Sequence, residues 1–171
     1  MKSKWICTLL VAVLATGLYA GNVLATPSPG PAASSGVTTT ILAKSRFGEI
    51  NVNAHTIPAR LWRARIRTHG LSDVYAVDNK IAPGGTTGWH SHPGPSLILV
   101  VAGTVTNYMG DEPSCTGHTY AAGSGFIDPG GADVHMLRNE GSTQAETIAV
   151  QLLPKDAARK IDKSEPDNCH F

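Results

Sequence analysis

The stretch GWHSHPGPSLILVVAG, residues 88–103, places two histidines one residue apart, just before a strongly apolar run. Successive residues of a β-strand point to opposite faces, so the side chains of His90 and His92 are expected to share one face. Two imidazoles on one face can reach a common metal ion, but two solvent-facing histidines would look the same in a sequence. The pair therefore needs a third ligand from elsewhere in the chain.

The third candidate is His135, in GSGFIDPGGADVHMLRN, residues 123–139. A glycine-rich turn at Pro129-Gly130-Gly131 precedes a short strand pattern that carries this histidine. A hairpin arm returning at this turn would bring His135 opposite the other two. The expectation is a metal site formed by His90, His92 and His135.

Short strand patterns, rich in β-branched residues and separated by Gly and Pro, fill most of the chain. They are TTTILAKSRF (38–47), LWRARIRTH (61–69), DVYAVDNKIA (73–82), SLILVVAG (96–103), GTVTNYM (103–109), GHTYAAG (117–123), GFIDP (125–129), VHMLRN (134–139) and ETIAVQLLP (146–154). Such spacing is typical of an all-β sandwich or barrel. Only DAARKID, residues 156–162, is a candidate for a helical turn.

These motifs resemble those of the cupin superfamily. Gly84, His90, His92 and Gly103 match the first family motif in order and spacing, with Ser96 at the position of the family's Glu. Gly123, Pro129, Gly131, His135 and Asn139 match the second, with one extra residue before the histidine. The resemblance implies a single cupin domain, a β-barrel or jelly roll of antiparallel strands.

The resemblance also implies a site of three histidines and one Glu around a divalent transition metal. Ser96 replaces that Glu, and because a neutral hydroxyl is a poor ligand, at most three protein donors are expected. Asp133 is the candidate for an extra carboxylate, since on a regular strand it would face the same way as His135. The sequence favours a different role for Asp133, in which it caps the turn at Gly130-Gly131. Asp128, assigned to a loop, is a weaker candidate.

Two hypotheses for function follow. In the first, the histidines hold Fe, Zn, Mn, Cu or Ni, and the uncompensated charge favours a small, oxygen-rich, anionic ligand or substrate. Dioxygenase, isomerase and lyase reactions all occur on the fold and stay open. In the second, the barrel binds a small ligand without metal and without catalysis. A structural role or metal scavenging are further alternatives, and the resemblance implies a homodimer.

Residues 1–25 have the pattern of a signal peptide: a basic start at Lys2 and Lys4, then an apolar run over residues 5–20. That run is shorter than the roughly 20 residues of a membrane span, although an uncleaved anchor is the rival interpretation. Residues 26–37 are expected to be a flexible Pro/Ser/Gly linker, and 38–171 the cupin domain with a C-terminal tail. The protein is predicted to be secreted or extracytoplasmic.

Cleavage would remove two lysines and no acid, taking the formal charge from +1 to −1. A nearly neutral chain predicts no nucleic-acid partner and no membrane partner after cleavage. Cys115 and Cys169 would remain, an even pair in an exported chain, which predicts a disulfide between the tail and a mid-chain loop. The alternative, a pair of metal-binding or redox thiols, lacks support from any CxxC spacing.

Overall fold

The computed structural model describes residues 33–58 and 61–171, and this part of the chain is built from strands alone. No segment in it forms a helix that could cross a membrane. The strands are β1 (Ser35–Phe47), β2 (Asn51–His55), β3 (Arg63–Arg67), β4 (Ser72–Thr86), β5 (His90–Ser91), β6 (Ser96–Ala102), β7 (Thr104–Met109), β8 (His118–Ala121), β9 (Gly125–Asp128), β10 (His135–Arg138), β11 (Ala145–Pro154) and β12 (Ile161–Asp162).

The predicted signal peptide, residues 1–25, lies outside the described residues, as does the predicted linker up to residue 32. Strand β1 begins at Ser35, within the last part of that linker, because the backbone from Ser35 onward already pairs with β4.

Ten of the strands form one antiparallel sheet that curls into a nearly closed barrel. Its main path runs β12-β5-β10-β4-β11-β6-β9, with β1 also on β4, and with β7 joining β10 to β8. Strands β2 and β3 pair only with each other and form a separate hairpin. The prediction of an all-β cupin-type barrel is confirmed.

The barrel interior is filled by alternate residues of its strands. Burial alternates along β6 and along β11, as expected when one face of a sheet is covered. Val77, Ile81, Ile98 and Val100 are at most 5% exposed and belong to two neighbouring apolar clusters. Burying each of these side chains contributes roughly 1.5–3 kcal/mol to folding. Buried polar residues, among them the three histidines, occupy the rest of the interior.

The C-terminal segment, defined here as residues 155–171, returns across the barrel. The prediction of a helical turn over DAARKID is wrong: a turn at residues 155–156 leads into β12. Asp156 has a φ of 59°, outside the helical region, and the backbone of Ile161 pairs with Ser91 on β5. The hydrogen bonds that a helix would form locally are made with β5 instead.

A disulfide between Cys115 and Cys169 anchors the C-terminal segment, as predicted. The two Cα atoms are 5.2 Å apart, and Cys169 is buried in an apolar cluster with Trp89, Tyr108 and Met136. Trp89 immediately precedes His90, so this cluster packs directly behind the first strand of the histidine site.

Candidate metal centre

Three histidine side chains converge inside the barrel. His90 on β5 is paired directly opposite His135 on β10, and His92 follows β5 by one residue. All three are buried, and their ring centroids are 4.4 to 5.4 Å apart. One ring nitrogen from each lies within 4.8 Å of the other two. The cluster predicted from the sequence is therefore formed, and it is positioned to hold a metal ion.

Each ring turns its Nδ1 atom toward an oxygen outside the cluster. The pairs are His90 with the Gly88 carbonyl at 2.8 Å, His92 with the Arg159 carbonyl, and His135 with the Asn107 side-chain oxygen at 3.3 Å. An Nδ1–H that donates to such an oxygen leaves Nε2 unprotonated, which is the form that binds a metal. These contacts orient the three rings and favour the tautomer with a free Nε2, and at His92 the Gln151 amide nitrogen also lies 3.3 Å from Nδ1.

Burial keeps two of these imidazoles neutral. Loss of hydration, followed by the neighbouring histidines, lowers the pKa of His90 to about 2. Burial likewise lowers the pKa of His135 to about 3, with His92 adding to the effect. Since a protonated imidazole cannot bind a cation, these shifts keep both rings ready for a metal at neutral pH.

Ser96 stands on β6 at the position where the resemblance implies a Glu, and it is fully buried. Its hydroxyl accepts a hydrogen bond at 3.4 Å from the side-chain amide of Gln151. It brings no negative charge to the histidines.

A carboxylate nevertheless lies beside the histidines, and it belongs to Asp128. This residue ends β9, is 2% exposed and is paired across the sheet with Ser96. Its Oδ2 atom is 3.5 Å from the Nε2 atom of His92 and 3.6 Å from that of His135. Burial raises the pKa of Asp128 above its ordinary value.

Asp133, the possible extra carboxylate of the sequence analysis, lies elsewhere. It lines a surface groove with Gly110, Val134 and Lys163, away from the histidine cavity. The physical reason is the extra residue before His135: β10 begins only at His135, so Asp133 sits in the preceding turn, where strand alternation does not apply. Asp133, the possible extra carboxylate, therefore does not lie beside the histidines, whereas Asp128 does.

The histidines open into a cavity of about 140 Å³. This is smaller than the roughly 300 Å³ at the lower end of pockets for drug-sized ligands, so it suits a small molecule. Apolar side chains, among them Val77, Ile98 and Ala149, line part of its wall. Gln151 contributes a polar group to the lining, whereas Tyr108 packs in the apolar cluster with Trp89.

Sequence reasoning missed two cationic residues of the cavity lining, Arg159 and Lys160. The ammonium of Lys160 is paired with Asp162. The Arg159 guanidinium donates to the Gln151 side-chain oxygen at 3.2 Å, and no carboxylate in the described part of the chain lies within 4.0 Å of it. No local pattern pointed to these residues, because the C-terminal segment reaches the cavity only through its pairing with β5.

A family model for the cupin domain matches residues 79–151, which include all three histidines and Asp128. The chain contains a cupin domain. The resemblance drawn from the two motifs is thereby confirmed, and the fold and the family assignment agree. No curated protein sequence shows a significant match to the chain.

Among the similar solved structures, a polyketide cyclase supports the same fold. The polyketide cyclase RemF from Streptomyces resistomycificus is 16% identical, with a TM-score of 0.50 over 82% of this chain and 80% of that one. A cupin superfamily protein from Desulfitobacterium hafniense is 13% identical, with a TM-score of 0.45 over 69% and 78%. An oxalate oxidase is 26% identical, with a TM-score of 0.41; the match spans 46% of this chain and 41% of that protein.

Proposed function

We propose that this cupin binds one divalent transition metal through His90, His92 and His135 and uses it to bind or transform a small, oxygen-rich molecule. The observation that carries the proposal is the convergence of three buried imidazoles whose Nδ1 atoms are all engaged outside the cluster. A bound divalent ion would act as a Lewis acid toward an oxygen of the ligand.

The chain's own groups favour an anionic ligand. His90 and His135 are neutral and bring no charge, and the Arg159 guanidinium lines the same cavity without a carboxylate partner among the described residues. A guanidinium can donate two parallel hydrogen bonds to a carboxylate. Arg159 would therefore hold and orient a carboxylate of the ligand, while the apolar wall excludes water from the rest of it.

Secretion and homodimer formation belong to the same proposal. The disulfide supports an oxidising compartment, since such bonds persist mainly in exported proteins. Leu97, Leu99 and Ile127 are about half exposed or more on the outer face of the barrel, and an exposed apolar surface of this kind is typical of a contact with another protein.

The first experiment is elemental analysis of the mature protein, purified without chelators or a histidine tag and supplied with Fe, Zn, Mn, Cu and Ni in turn. We expect about one ion per chain in the parent and none in His90→Ala, because the substitution removes one of three protein nitrogens. His118→Ala is the matched control, since His118 is exposed and outside the cluster. A parent that takes up none of the five metals would contradict the proposal and favour a metal-free ligand-binding cavity.

A further inference from the structure

Two buried polar atoms face each other across the histidine cluster without a hydrogen-bond partner among the described residues. They are Oδ2 of Asp128 and Nε2 of His135. A buried polar atom left unpaired costs on the order of 1–3 kcal/mol, and a buried carboxylate more. Native structures rarely keep such atoms without a reason, and a bound cation between them is one that would satisfy both.

The separations around Asp128 are those of atoms that share an ion rather than a proton. Oδ2 lies 3.5 Å from His92 Nε2 and 3.6 Å from His135 Nε2, longer than a hydrogen bond. Two ligands of a tetrahedral ion with bonds near 2.1 Å are about 3.4 Å apart, close to both distances. A cation placed among these atoms would therefore contact the carboxylate together with the imidazoles of His92 and His135.

The carboxylate is also held in place. The backbone N–H of Gly130 donates to Asp128 Oδ1 at 2.9 Å, which leaves Oδ2 directed at the histidines. The backbone N–H of Gly131 donates to the carbonyl of His92 at 2.6 Å, so the same turn is joined to the histidine strand. The turn that holds Asp128 also leads into β10, which begins at His135.

Asp128 places a carboxylate next to the position at which the resemblance implies a Glu and this chain has Ser96. Asp128 and Ser96 are direct partners in the β6–β9 ladder. We infer that Asp128 is the fourth protein ligand of the metal, with the carboxylate moved across one strand pair from the position that Ser96 occupies. This inference rests on the proposed function. A carboxylate ligand at Asp128 would lower the net charge of the metal and its protein ligands from +2 to +1. It would also leave fewer coordination positions for the small molecule than three histidines alone.

The test compares metal affinity in Asp128→Asn and in the parent. Asparagine keeps an oxygen for the Gly130 N–H and replaces the charged Oδ2 by a neutral NH2 group, which is not a metal ligand. Competition with a chromophoric chelator, using Zn²⁺ and then Co²⁺ alone, should show binding weakened by about 100-fold or more. The visible spectrum of the Co²⁺ protein should change as one oxygen donor is lost. Asp133→Asn, a carboxylate of a neighbouring groove, should bind as the parent does.

A second variant separates a ligand role from a purely structural one. Ser96→Glu combined with Asp128→Asn supplies a carboxylate from β6 in place of the one on β9. This double variant should recover most of the lost metal affinity. The metal-free Asp128→Asn protein should unfold at the same temperature as the metal-free parent or above it, because an uncompensated buried carboxylate has been removed.

Two results would overturn the inference. The first is Zn²⁺ affinity in Asp128→Asn equal to that of the parent, which would leave the three-histidine proposal standing. The second is a metal-free Asp128→Asn protein much less stable than the metal-free parent, with no recovery of affinity in the double variant. If the parent itself binds no metal, it is the proposed function that fails, and the inference fails with it.

Discussion

The two kinds of nitrogen that line the cavity are chemically opposite. His90 and His135 are kept neutral by burial, whereas the guanidinium of Arg159 is permanently charged. Neutral imidazoles can bind a cation, and a guanidinium can bind an anion. The cavity thus offers separate places for a metal and for the negative end of a small molecule.

Removal of the Arg159 charge is expected to weaken the binding of anions selectively. In Arg159→Gln, acetate and small dicarboxylates should bind the metal-loaded protein about 10–100-fold more weakly, since a charge-assisted hydrogen bond contributes roughly 1.5–3 kcal/mol. Acetamide, a neutral ligand of the same size, should bind as it does to the parent. Isothermal titration calorimetry measures both.

The control for Arg159→Gln is Arg65→Gln, which removes an exposed arginine from the hairpin of β2 and β3. It should leave carboxylate binding unchanged. Equal carboxylate affinity in Arg159→Gln and the parent would show that Arg159 does not contact the ligand.

The residues of the site differ in how far the sequence could predict them. The histidines could be found because strand alternation is local: one residue between His90 and His92 places both on one face. Asp128 could not be ranked above Asp133, because its place depends on the register between β6 and β9, which no short pattern fixes. One signal was available: inward Phe126 and outward Ile127 imply that Asp128 faces the barrel interior.

Among the structural elements, the turn after β9 has the most influence on the site. It joins Asp128 to β10, and its two glycines, Gly130 and Gly131, both have a φ of 73°. Only one of them is closely packed. A Cβ atom on Gly130 would meet the carbonyl oxygen of Gly94, whereas a Cβ atom on Gly131 would meet nothing within 4 Å.

This difference predicts unequal effects of two alanine substitutions. Gly131→Ala should cost about 1 kcal/mol, the usual strain of a left-handed conformation. Gly130→Ala adds a steric clash and should cost roughly 2–4 kcal/mol, the range of an overpacking change added to that strain. It should also weaken metal binding, because it displaces Asp128. Urea unfolding and chelator competition measure the two effects, and equal losses of stability in both variants would contradict this account.

The strands themselves were largely predictable, since Gly and Pro separate them and β-branched residues fill them. The elements that were missed are β2 and β12, which have five and two residues. Strands as short as β5 and β12 are stabilised by their partners rather than by their own sequence. For the same reason DAARKID was mistaken for a helical turn.

Over the whole molecule, the C-terminal segment is held at several points along its length. The N–H of Lys163 donates to the Trp89 carbonyl at 2.9 Å, and Asp156 bonds to Arg46 of β1 at 2.5 Å. The disulfide between Cys115 and Cys169 closes the far end. Arg159 lies between these attachments, so the shape of the cavity lining depends on all of them.

Loss of the disulfide is expected to destabilise the fold. The double variant Cys115→Ser, Cys169→Ser should lower the free energy of unfolding by up to about 4 kcal/mol, the chain-entropy value for a loop of this length. Urea denaturation of the oxidised parent, the reduced parent and the variant measures it. The reduced parent should behave like the variant, and an oxidised parent with the same midpoint as both would show that the bond contributes nothing.

The contact between His92 and the Arg159 carbonyl has a consequence for the order in which the centre is completed. All three histidines precede Arg159 in the chain, so a growing polypeptide exposes them before the backbone oxygen that orients His92 has been synthesised. At that stage the His92 ring would lack the backbone oxygen that orients it in the folded protein. The complete set of oriented donors therefore exists only after translation has passed Arg159.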